Sequence, residues 1–309
     1  MTNLTIISTC FNEIENVDEC YAVIKNIMNK NNISYEHIFV DNNSNDGTLG
    51  VLEKICRNDK NVKLIVNYKN YGPFLSNFNA LKYASGNYVI VNFASDMQDP
   101  EEMIVRMYKK IQEGYDVVYA KKINTDEGFL IKRLRRLYYY IIHKSSENYY
   151  PMNVNEFMCV KKNIVNQLNN INDYFPYIRG YIARLTDNFF EIEFERKSRL
   201  RGKSKNNLFD LYAQGMNGLI FTMDKSIRLV GLFFLLLSLV SFIFLLQVII
   251  NKIFFDTGSP QGITIIISIV VFFFSLTSAI LSLILEYVST IHNQLRGNVG
   301  VQVRKKINF

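Results

Sequence analysis

Two long uncharged apolar runs in the last third of the chain constrain its architecture most. The first run covers residues 229–250, and as a helix it is about 33 Å long, against a hydrocarbon core of about 30 Å. The second run covers residues 262–285, and a polar turn at residues 251–261 separates the two. A pair of buried core helices is the alternative, but these runs are apolar on every helical face. We therefore predict a transmembrane hairpin over residues 229–285.

Cations are concentrated outside the hairpin. Lys252 is the only Lys or Arg in the connecting turn. By the positive-inside rule, both chain termini are therefore expected to be cytoplasmic. The stretch before the hairpin, residues 206–228, mixes apolar and polar side chains, which favours a juxtamembrane amphipathic helix, with ordinary core packing as the alternative. Residues 1–205 are expected to form a cytoplasmic domain, and residues 286–309 a cytoplasmic tail. The flanking cations are Lys225, Arg228, Arg296, Arg304, Lys305 and Lys306.

Composition excludes several protein classes. The 309 residues contain only 5 Pro and 15 Gly, and apolar residues are spread throughout, so neither disorder nor a collagen-like repeat is expected. The 4 Cys form no C-x-x-C pair, which argues against a zinc site and a redox dithiol. We expect these cysteines to be reduced and buried. No signal peptide is recognised, and no nucleic-acid partner is expected.

The first two hundred residues alternate between short apolar runs and segments with helical spacing. Helical spacing is clearest at Val17, Tyr21, Ile24 and Met28. Alternating strands and helices predict an α/β domain with a doubly wound, mostly parallel sheet. In such sheets, ligands bind beyond the carboxyl ends of the strands. The predicted strands are residues 4–8, 37–40, 62–66, 88–93 and 117–119.

Polar turns follow three of these strands. They cover residues 9–13, 41–48 and 94–101, and each contains at least one Asp or Glu. Each turn alone is also typical of an Asx-rich loop or a helix cap. Because the three turns converge on one edge of the predicted sheet, they favour a polar ligand bound together with a metal ion.

These motifs identify the chain as similar to the family 2 glycosyltransferases. Within that family it resembles the polyisoprenyl-phosphate branch, which includes dolichol-phosphate mannose synthase and bacterial bactoprenol glucosyltransferases, and the resemblance covers nearly the whole chain. The carboxylates at residues 41–48 resemble D-D-x-S-x-D-G-T, and residues 95–101 resemble the end of D-x-D-x-Q-D-P-P-E. Further matching segments are residues 11–13, 70–72, 196–205 and 286–287.

The resemblance implies a fold of the GT-A, nucleotide-diphospho-sugar transferase type, and roles for individual residues. Asp96 and Gln98 would hold Mg²⁺ or Mn²⁺ through oxygen ligands, as a diphosphate leaving group requires. The carboxylates with candidate catalytic roles are Asp96, Asp99 and Glu156. The candidate donor-nucleotide residues are Thr9, Phe11, Glu13, Asp41, Asp46, Asn70, Ser76 and Lys122.

A basic segment before the membrane-associated region is a candidate phosphate site. Residues 196–205 contain six Lys or Arg side chains, at positions 196, 197, 199, 201, 203 and 205. Arg offers a fork of donors to phosphate oxygens, and Lys a point charge. The alternative is a polybasic patch attracted to anionic lipid. The candidate ligands of a lipid phosphate or donor diphosphate are Arg196, Arg199, Ser204 and Lys205.

The function implied by the resemblance is inverting transfer of one sugar, a hexose such as glucose. The donor would be a nucleotide-diphosphate sugar, with UDP expected ahead of GDP, and the acceptor polyprenyl (undecaprenyl) phosphate at the cytoplasmic leaflet of the bacterial inner membrane. A phosphate acceptor is already largely a dianion at neutral pH, which agrees with the lack of His beside the motifs. A homo-oligomer, by resemblance a tetramer, and a separate flippase are further expected partners.

One departure from the family pattern raises an alternative function. Ala94 stands where the family has the first Asp of D-x-D, and Asn42 replaces the second Asp of the D-D pair. A catalytically silent membrane scaffold or regulator that keeps the glycosyltransferase fold is therefore the second hypothesis. The processive polysaccharide synthases are disfavoured, since they carry Q-x-x-R-W and this chain has no Trp.

Overall fold

The computed structural model describes most of the N-terminal two-thirds of the chain and its C-terminal end. The described residues are 2–123, 154–171, 173, 176–195 and 300–309, with isolated positions between 133 and 291. The chain divides into two compact units, Met1–Phe221 with Asn298–Phe309, and Thr222–Gly297. The predicted four-part division of the chain stays a prediction.

An eight-stranded mixed sheet forms the centre of the first unit. Its strand order is β7-β5-β6-β4-β1-β2-β3-β8. Four neighbouring pairs are parallel, namely β1–β2, β1–β4, β2–β3 and β5–β7. Strands β6 and β8 run antiparallel to their neighbours. The strands are β1 (Leu4–Cys10), β2 (Tyr35–Asp41), β3 (Val62–Asn67), β4 (Tyr88–Val91), β5 (Val117–Lys122), β6 (Val154–Lys161), β7 (Phe189–Phe194) and β8 (Val303–Ile307).

Six described helices connect the strands and cover both faces of the sheet. Side chains in β2 alternate between the two faces: Phe39 packs in one core cluster, and Ile38 and Val40 pack in the other. A sheet buried on both faces is typical of α/β proteins. The helices are α1 (Val17–Lys30), α2 (Thr48–Asn58), α3 (Gly72–Ala80), α4 (Glu102–Ile111), α5 (Lys162–Asn169) and α6 (Ile178–Leu185), with a short 3₁₀ helix at Leu81–Tyr83.

The helix α1 shows how local pattern produces this packing. Its buried residues are Val17, Cys20, Ile24 and Met28, spaced three or four apart so that they share one helical face. Asp18 and Glu19 lie in the first turn and Lys30 in the last, which complements the helix dipole. All four cysteines are free and buried, as predicted.

The expectation of a doubly wound α/β domain is confirmed, but the sheet is mixed rather than mostly parallel. The five predicted strands correspond to β1–β5, whereas β6, β7 and β8 were not foreseen. Polar residues interrupt the apolar pattern in β6, which contains Glu156, and in β8, which contains Arg304, Lys305 and Lys306. Their pairing with distant strands, rather than local periodicity, makes these segments strands.

The predicted membrane hairpin falls almost wholly outside the described residues. Among the residues that the structure describes, no helix combines the length and the apolar composition needed to cross a membrane. The amphipathic segment 206–228 also lies outside the described residues.

Strand order places one crevice at the carboxyl edge of the sheet. From β1 the chain proceeds through β2 to β3 on one side, and then returns to place β4 on the other side of β1. The order therefore reverses between β1 and β4. At such a switch point the loops after the two strands diverge, which leaves room for a ligand.

Candidate active site

The three polar turns predicted from the sequence lie side by side. Strands β4, β1 and β2 are adjacent and parallel, so their carboxyl ends meet at the same edge. The Ser95 hydroxyl donates to the backbone carbonyl of Thr9 at 3.2 Å, which joins the turn after β4 to the end of β1. The predicted convergence of these turns is confirmed.

Side-chain hydrogen bonds connect the loop after β1 to the loop after β2. The backbone N–H of Asn12 donates to Ser44 Oγ at 2.9 Å, and the N–H of Asn45 donates to Asn12 Oδ1 at 2.9 Å. The N–H of Glu13 donates to Thr48 Oγ1 at 2.9 Å. Because each loop satisfies backbone groups of the other, the two form one rigid wall of the crevice.

Asp46 supports this wall. Its Oδ2 accepts from the N–H of Ile14 at 3.1 Å, and its Oδ1 accepts from Thr48. Burial alone would raise the pKa of Asp46, but these hydrogen bonds outweigh burial and lower it. Both oxygens of Asp46, a predicted donor-site residue, therefore bond to the protein, and the residue acts by holding the loops.

Strained backbone concentrates at this edge. Asn12, Asn43, Asn92 and Met97 have positive φ values of 56°, 62°, 56° and 56°. Asn adopts this conformation more readily than most residues, whereas for Met it is uncommon. Left-handed residues of this kind cluster at functional sites, where the surrounding structure holds them in place.

Asp41 ends β2 as a buried carboxylate. Its Oδ2 accepts from the N–H of Ser44 at 3.2 Å, and among the described residues its Oδ1 has no hydrogen-bond partner. Burial raises the pKa of Asp41, and the hydrogen bonds of Ser44, followed by the positive charge of Arg304, oppose that effect. A buried carboxylate oxygen with a vacant acceptor position is able to accept an N–H of a bound ligand.

A buried polar cluster lies next to Asp41. Ser76 Oγ donates to Asn42 Oδ1 at 2.6 Å, while Asn67 Nδ2 donates to Asn42 Oδ1 at 2.9 Å and contacts Ser76 Oγ at 3.2 Å. All three side chains are buried. Ser76, a predicted donor-site residue, thus bonds to Asn42 and ties α3 to the ends of β2 and β3. An amide at position 42 accepts these bonds without adding a second buried charge beside Asp41.

The turn after β4 holds the predicted metal ligands. Asp96 is nearly buried, and its Oδ1 accepts from the N–H of Gln98 at 3.4 Å. Within the described residues, no group of three or more His, Cys, Asp or Glu side chains is arranged to hold a metal ion. A carboxylate and an amide oxygen nevertheless suit a Mg²⁺-like cation, which commonly takes one or two protein ligands and completes its shell with substrate phosphates and water.

Glu156 brings a third carboxylate to this edge. Met158 of β6 pairs with Val91 of β4, so Glu156, two residues earlier, lies at the level where the turn after β4 begins. Its Oε2 has no hydrogen-bond partner among the described residues. Burial raises the pKa of Glu156 to about 7, against the opposing effect of Arg179. A carboxyl group with this pKa exchanges a proton near neutral pH.

The other predicted residues lie in or next to the loops around the crevice. Glu13 Oε2 accepts from Asn16 Nδ2 at 2.6 Å, and Asn70 Oδ1 accepts from the N–H of Gly72 at 2.8 Å, which fixes the start of α3. Phe11 follows β1, Lys122 ends β5, and Asp99 is buried after the Asp96 turn. The predicted phosphate ligands Arg196, Arg199, Ser204 and Lys205 lie outside the described residues.

Sequence reasoning missed two cations near these carboxylates. Arg179 is the second residue of α6, and its Nη1 donates to the carbonyl of Val154 at the start of β6. Arg304 belongs to β8 and acts on Asp41. A lone cation at the start of a helix, as at Arg179, is a signal that could have been noted. Nothing local distinguishes Arg304 from Lys305 and Lys306.

Comparison with known proteins identifies the family. The model of the family described as "Glycosyl transferase family 2" matches residues 5–190, which include β1–β6 and all the carboxylates above. The chain belongs to glycosyl transferase family 2. It is therefore a transferase, and the resemblance drawn from its motifs is confirmed.

Two relatives align over nearly the whole chain. The "Uncharacterized glycosyltransferase YkcC" of Bacillus subtilis (strain 168) is 26% identical over 293 residues, which cover 94% of this chain and 90% of the relative. The "SfII prophage-derived bactoprenol glucosyl transferase" of Shigella flexneri is 23% identical over 304 residues, with 98% and 97% covered. The similarity thus extends past the family domain into the C-terminal apolar runs.

A solved structure shares the fold. Glucosyl-3-phosphoglycerate synthase from Mycobacterium tuberculosis, in complex with Mn²⁺, UDP and glucosyl-3-phosphoglycerate, superposes with a TM-score of 0.53. It is 13% identical, and the match covers 72% of this chain and 80% of that one. This likeness confirms a GT-A-like α/β fold for the first unit.

Proposed function

We propose that this glycosyltransferase moves one hexose, such as glucose, from a UDP-sugar onto a polyprenyl phosphate at a membrane surface. The observation that carries the proposal is the crevice between β1 and β4, where Asp41, Asp96 and Glu156 are buried at one sheet edge. Alignment over 98% of the chain with a bactoprenol glucosyl transferase supports the lipid acceptor.

The donor nucleotide binds along the wall formed by the loops after β1 and β2. Asp41 offers a buried acceptor oxygen to the nucleobase, and Asp46 holds the two loops of the wall together through hydrogen bonds. Asp96 and Gln98 would hold Mg²⁺ or Mn²⁺, which would supply the positive charge that offsets the charge on the departing diphosphate. Mn²⁺ in the solved relative of the same fold supports this assignment.

Chemistry is a direct displacement. An oxygen of the acceptor phosphate forms the new bond to the anomeric carbon, the bond to the nucleoside diphosphate breaks, and the configuration inverts. A phosphate dianion needs no strong base, and Glu156 is able to accept the proton of the monoanionic fraction, since its pKa of about 7 exceeds the second phosphate pKa of about 6. Asp99, the remaining candidate carboxylate, lies buried three residues beyond Asp96.

The position of β8 supports a hairpin anchor in the bacterial inner membrane. Strand β8 pairs with β3, so the chain before and after the apolar runs returns to the same sheet. The number of membrane crossings between them must then be even, which agrees with two helices at residues 229–250 and 262–285 and with cytoplasmic termini. Arg196, Arg199, Ser204 and Lys205 precede the predicted hairpin in the sequence, and we propose that they bind the lipid phosphate.

Ala94 favours a second candidate function, that of a catalytically silent scaffold. The turn that contains Asp96 has Ala94 where the family pattern has an Asp, so it has one carboxylate fewer than the pattern. The Ala94→Asp variant separates the two candidates. Transfer by the unaltered protein excludes the scaffold, whereas transfer that appears only in Ala94→Asp establishes it.

Asp96 provides the sharpest test of the catalytic assignment. We expect Asp96→Asn to lose at least about a hundredfold in transfer rate, as removal of a major charge-stabilising group does. The exposed Asp187, which lies between α6 and β7 and is not among the predicted site residues, supplies the matched control Asp187→Asn, which should keep full activity. Equal rates for Asp96→Asn and the unaltered protein would contradict the assignment.

A further inference from the structure

The C-terminal strand β8 reaches the donor side of the crevice. It runs antiparallel to β3 at the sheet edge, so its first residues lie beside the carboxyl end of β3. Val303 pairs with Asn67, whose side chain contacts Asn42 next to Asp41. The final strand of the chain therefore borders the loops that form the nucleotide wall.

Arg304 occupies an irregularity in the strand pairing. Lys305 pairs with Val66 and Val303 pairs with Asn67, so Arg304 is an extra residue between two consecutive partners on β3. This is the geometry of a β-bulge, which redirects a side chain and recurs beside active sites. The Arg304 side chain is exposed, so the bulge presents a cation to the open edge rather than to the core.

Specific bonds hold the bulge in register. On the crevice side, the N–H of Tyr68 donates to the carbonyl of Gln302 at 3.0 Å, and the N–H of Gln302 donates to the hydroxyl of Tyr71 at 3.2 Å. Tyr71 belongs to the 70–72 motif that follows β3. At the far end, Asn308 Nδ2 donates to the carbonyls of Cys56 at 2.7 Å and Val62 at 2.8 Å.

Strand pairing places Arg304 two strands from Asp41. Asp41 pairs with Val66 of β3, and the bulge at Arg304 lies between the partners of Val66 and Asn67. Burial raises the pKa of the Asp41 carboxyl, and the hydrogen bonds of Ser44, followed by the positive charge of Arg304, oppose that effect. An ionised Asp41 is acceptor-only, so it requires an N–H from its ligand. The Arg304 guanidinium is donor-only and requires an acceptor atom on the ligand.

We propose that Arg304 is a nucleobase-recognition residue that completes the donor pocket together with Asp41. The pair is complementary to a base edge with a ring N–H next to a carbonyl, as in uracil. Asp41 accepts the N–H, and Arg304 donates to the carbonyl oxygen. Cytosine presents a ring acceptor and an amino group at the same edge, so both contacts become unfavourable. This inference rests on the proposed function, because it assumes a nucleotide donor in the crevice.

The test compares UDP with CDP, which differ only at the base edge. Dissociation constants are measured by calorimetry with Mn²⁺ for the full-length protein, Arg304→Ala, Arg304→Lys and the control Lys306→Ala. The Lys306→Ala substitution removes one positive charge from the same strand, as Arg304→Ala does. It is the control because the Nζ of Lys306 lies over the ring of Tyr83, at 5.0 Å from the centroid. Thermal unfolding of each variant checks that the fold is kept.

We expect Arg304→Ala to bind UDP about tenfold more weakly, the usual consequence of losing a hydrogen bond from a charged group, with CDP affinity changed by less than about twofold. Arg304→Lys should lie between Arg304→Ala and the unaltered protein, and Lys306→Ala should match the unaltered protein. Equal weakening of UDP and CDP would overturn base recognition in favour of a phosphate contact and leave the proposed function standing. An unaltered protein that binds no nucleotide would overturn both.

Discussion

Asp46 Oδ1 accepts two hydrogen bonds from Thr48, from its N–H at 3.0 Å and from its hydroxyl at 2.5 Å. The other oxygen of the same carboxylate holds the N–H of Ile14 in the neighbouring loop. A single side chain thus fixes the start of α2 and joins two of the three turns that form the crevice. The shape of the nucleotide wall depends on it.

Replacement of Asp46 should therefore affect both stability and donor binding. We expect Asp46→Ala to lower the free energy of unfolding by about 1–3 kcal/mol and to weaken UDP binding, because loop backbone groups lose their partners. Urea unfolding and UDP titration provide the two measurements. The exposed Asp187→Ala should change stability by less than about 0.5 kcal/mol. An Asp46→Ala variant as stable as Asp187→Ala would contradict this role.

Glu156 should make stability depend on pH in one direction. Its pKa is about 7 in the folded protein and 4.5 ordinarily, so the folded state binds more protons between these values. Stability contributed by this group is complete below pH 4.5 and is lost as pH rises through 7. The Glu156→Gln variant lacks this titrating group, so its free energy of unfolding does not fall in this way. The difference in free energy of unfolding, Glu156→Gln minus the unaltered protein, should therefore increase from pH 4.5 to 7. The exposed Glu193→Gln serves as control, and parallel stability curves for Glu156→Gln and the unaltered protein would refute the prediction.

His37 should have the opposite effect. It is buried in β2 with its Nε2 at 3.0 Å from Ser8 Oγ, and burial lowers its pKa from 6.5 to about 3. The unfolded state then binds more protons between these values, so stability falls as pH drops below 6.5. The slope is at most about 1.4 kcal/mol per pH unit, the contribution of one proton. His37→Gln should remove that slope in urea unfolding between pH 4 and 6.5, and an unchanged slope would show that His37 is not responsible.

Gly86 should tolerate no side chain. A Cβ there would lie 2.7 Å from the backbone nitrogen of Thr5 and 2.9 Å from the carbonyl carbon of Leu4, neither of which is able to move freely in β1. We expect Gly86→Ala to lower stability by about 1–3 kcal/mol. The matched substitution Gly50→Ala lies in α2 with no atom within 4 Å, and should raise stability by up to about 1 kcal/mol. Similar melting temperatures for the two variants would contradict the packing at Gly86.

The sequence predicted the parts of the fold that depend on local pattern. Strands such as β1 and β2 are continuous apolar runs followed by polar turns, and adjacency of parallel strands then determines that Asp41 and Asp96 share an edge. Strand β8 depends instead on pairing with β3, more than two hundred residues earlier, and its three consecutive cations resemble a membrane-flanking tail. No local rule places Arg304 near Asp41.

The candidate site was predictable in its residue types but less so in their roles. Asp46 and Ser76 are predicted donor-nucleotide residues, yet the side chains of both form hydrogen bonds within the protein. Glu156 is a candidate catalytic carboxylate by the resemblance, whereas its raised pKa depends on its burial in the folded chain. Such distinctions require three-dimensional packing.

The central claim is transfer of a hexose to a polyprenyl phosphate. The most direct measurement is mass spectrometry of undecaprenyl phosphate after incubation with detergent-purified full-length protein, UDP-glucose or another UDP- or GDP-sugar, and Mn²⁺. We predict a mass gain of one hexose, abolished by EDTA. No mass gain with any of these donors, from protein that binds UDP, would contradict the account.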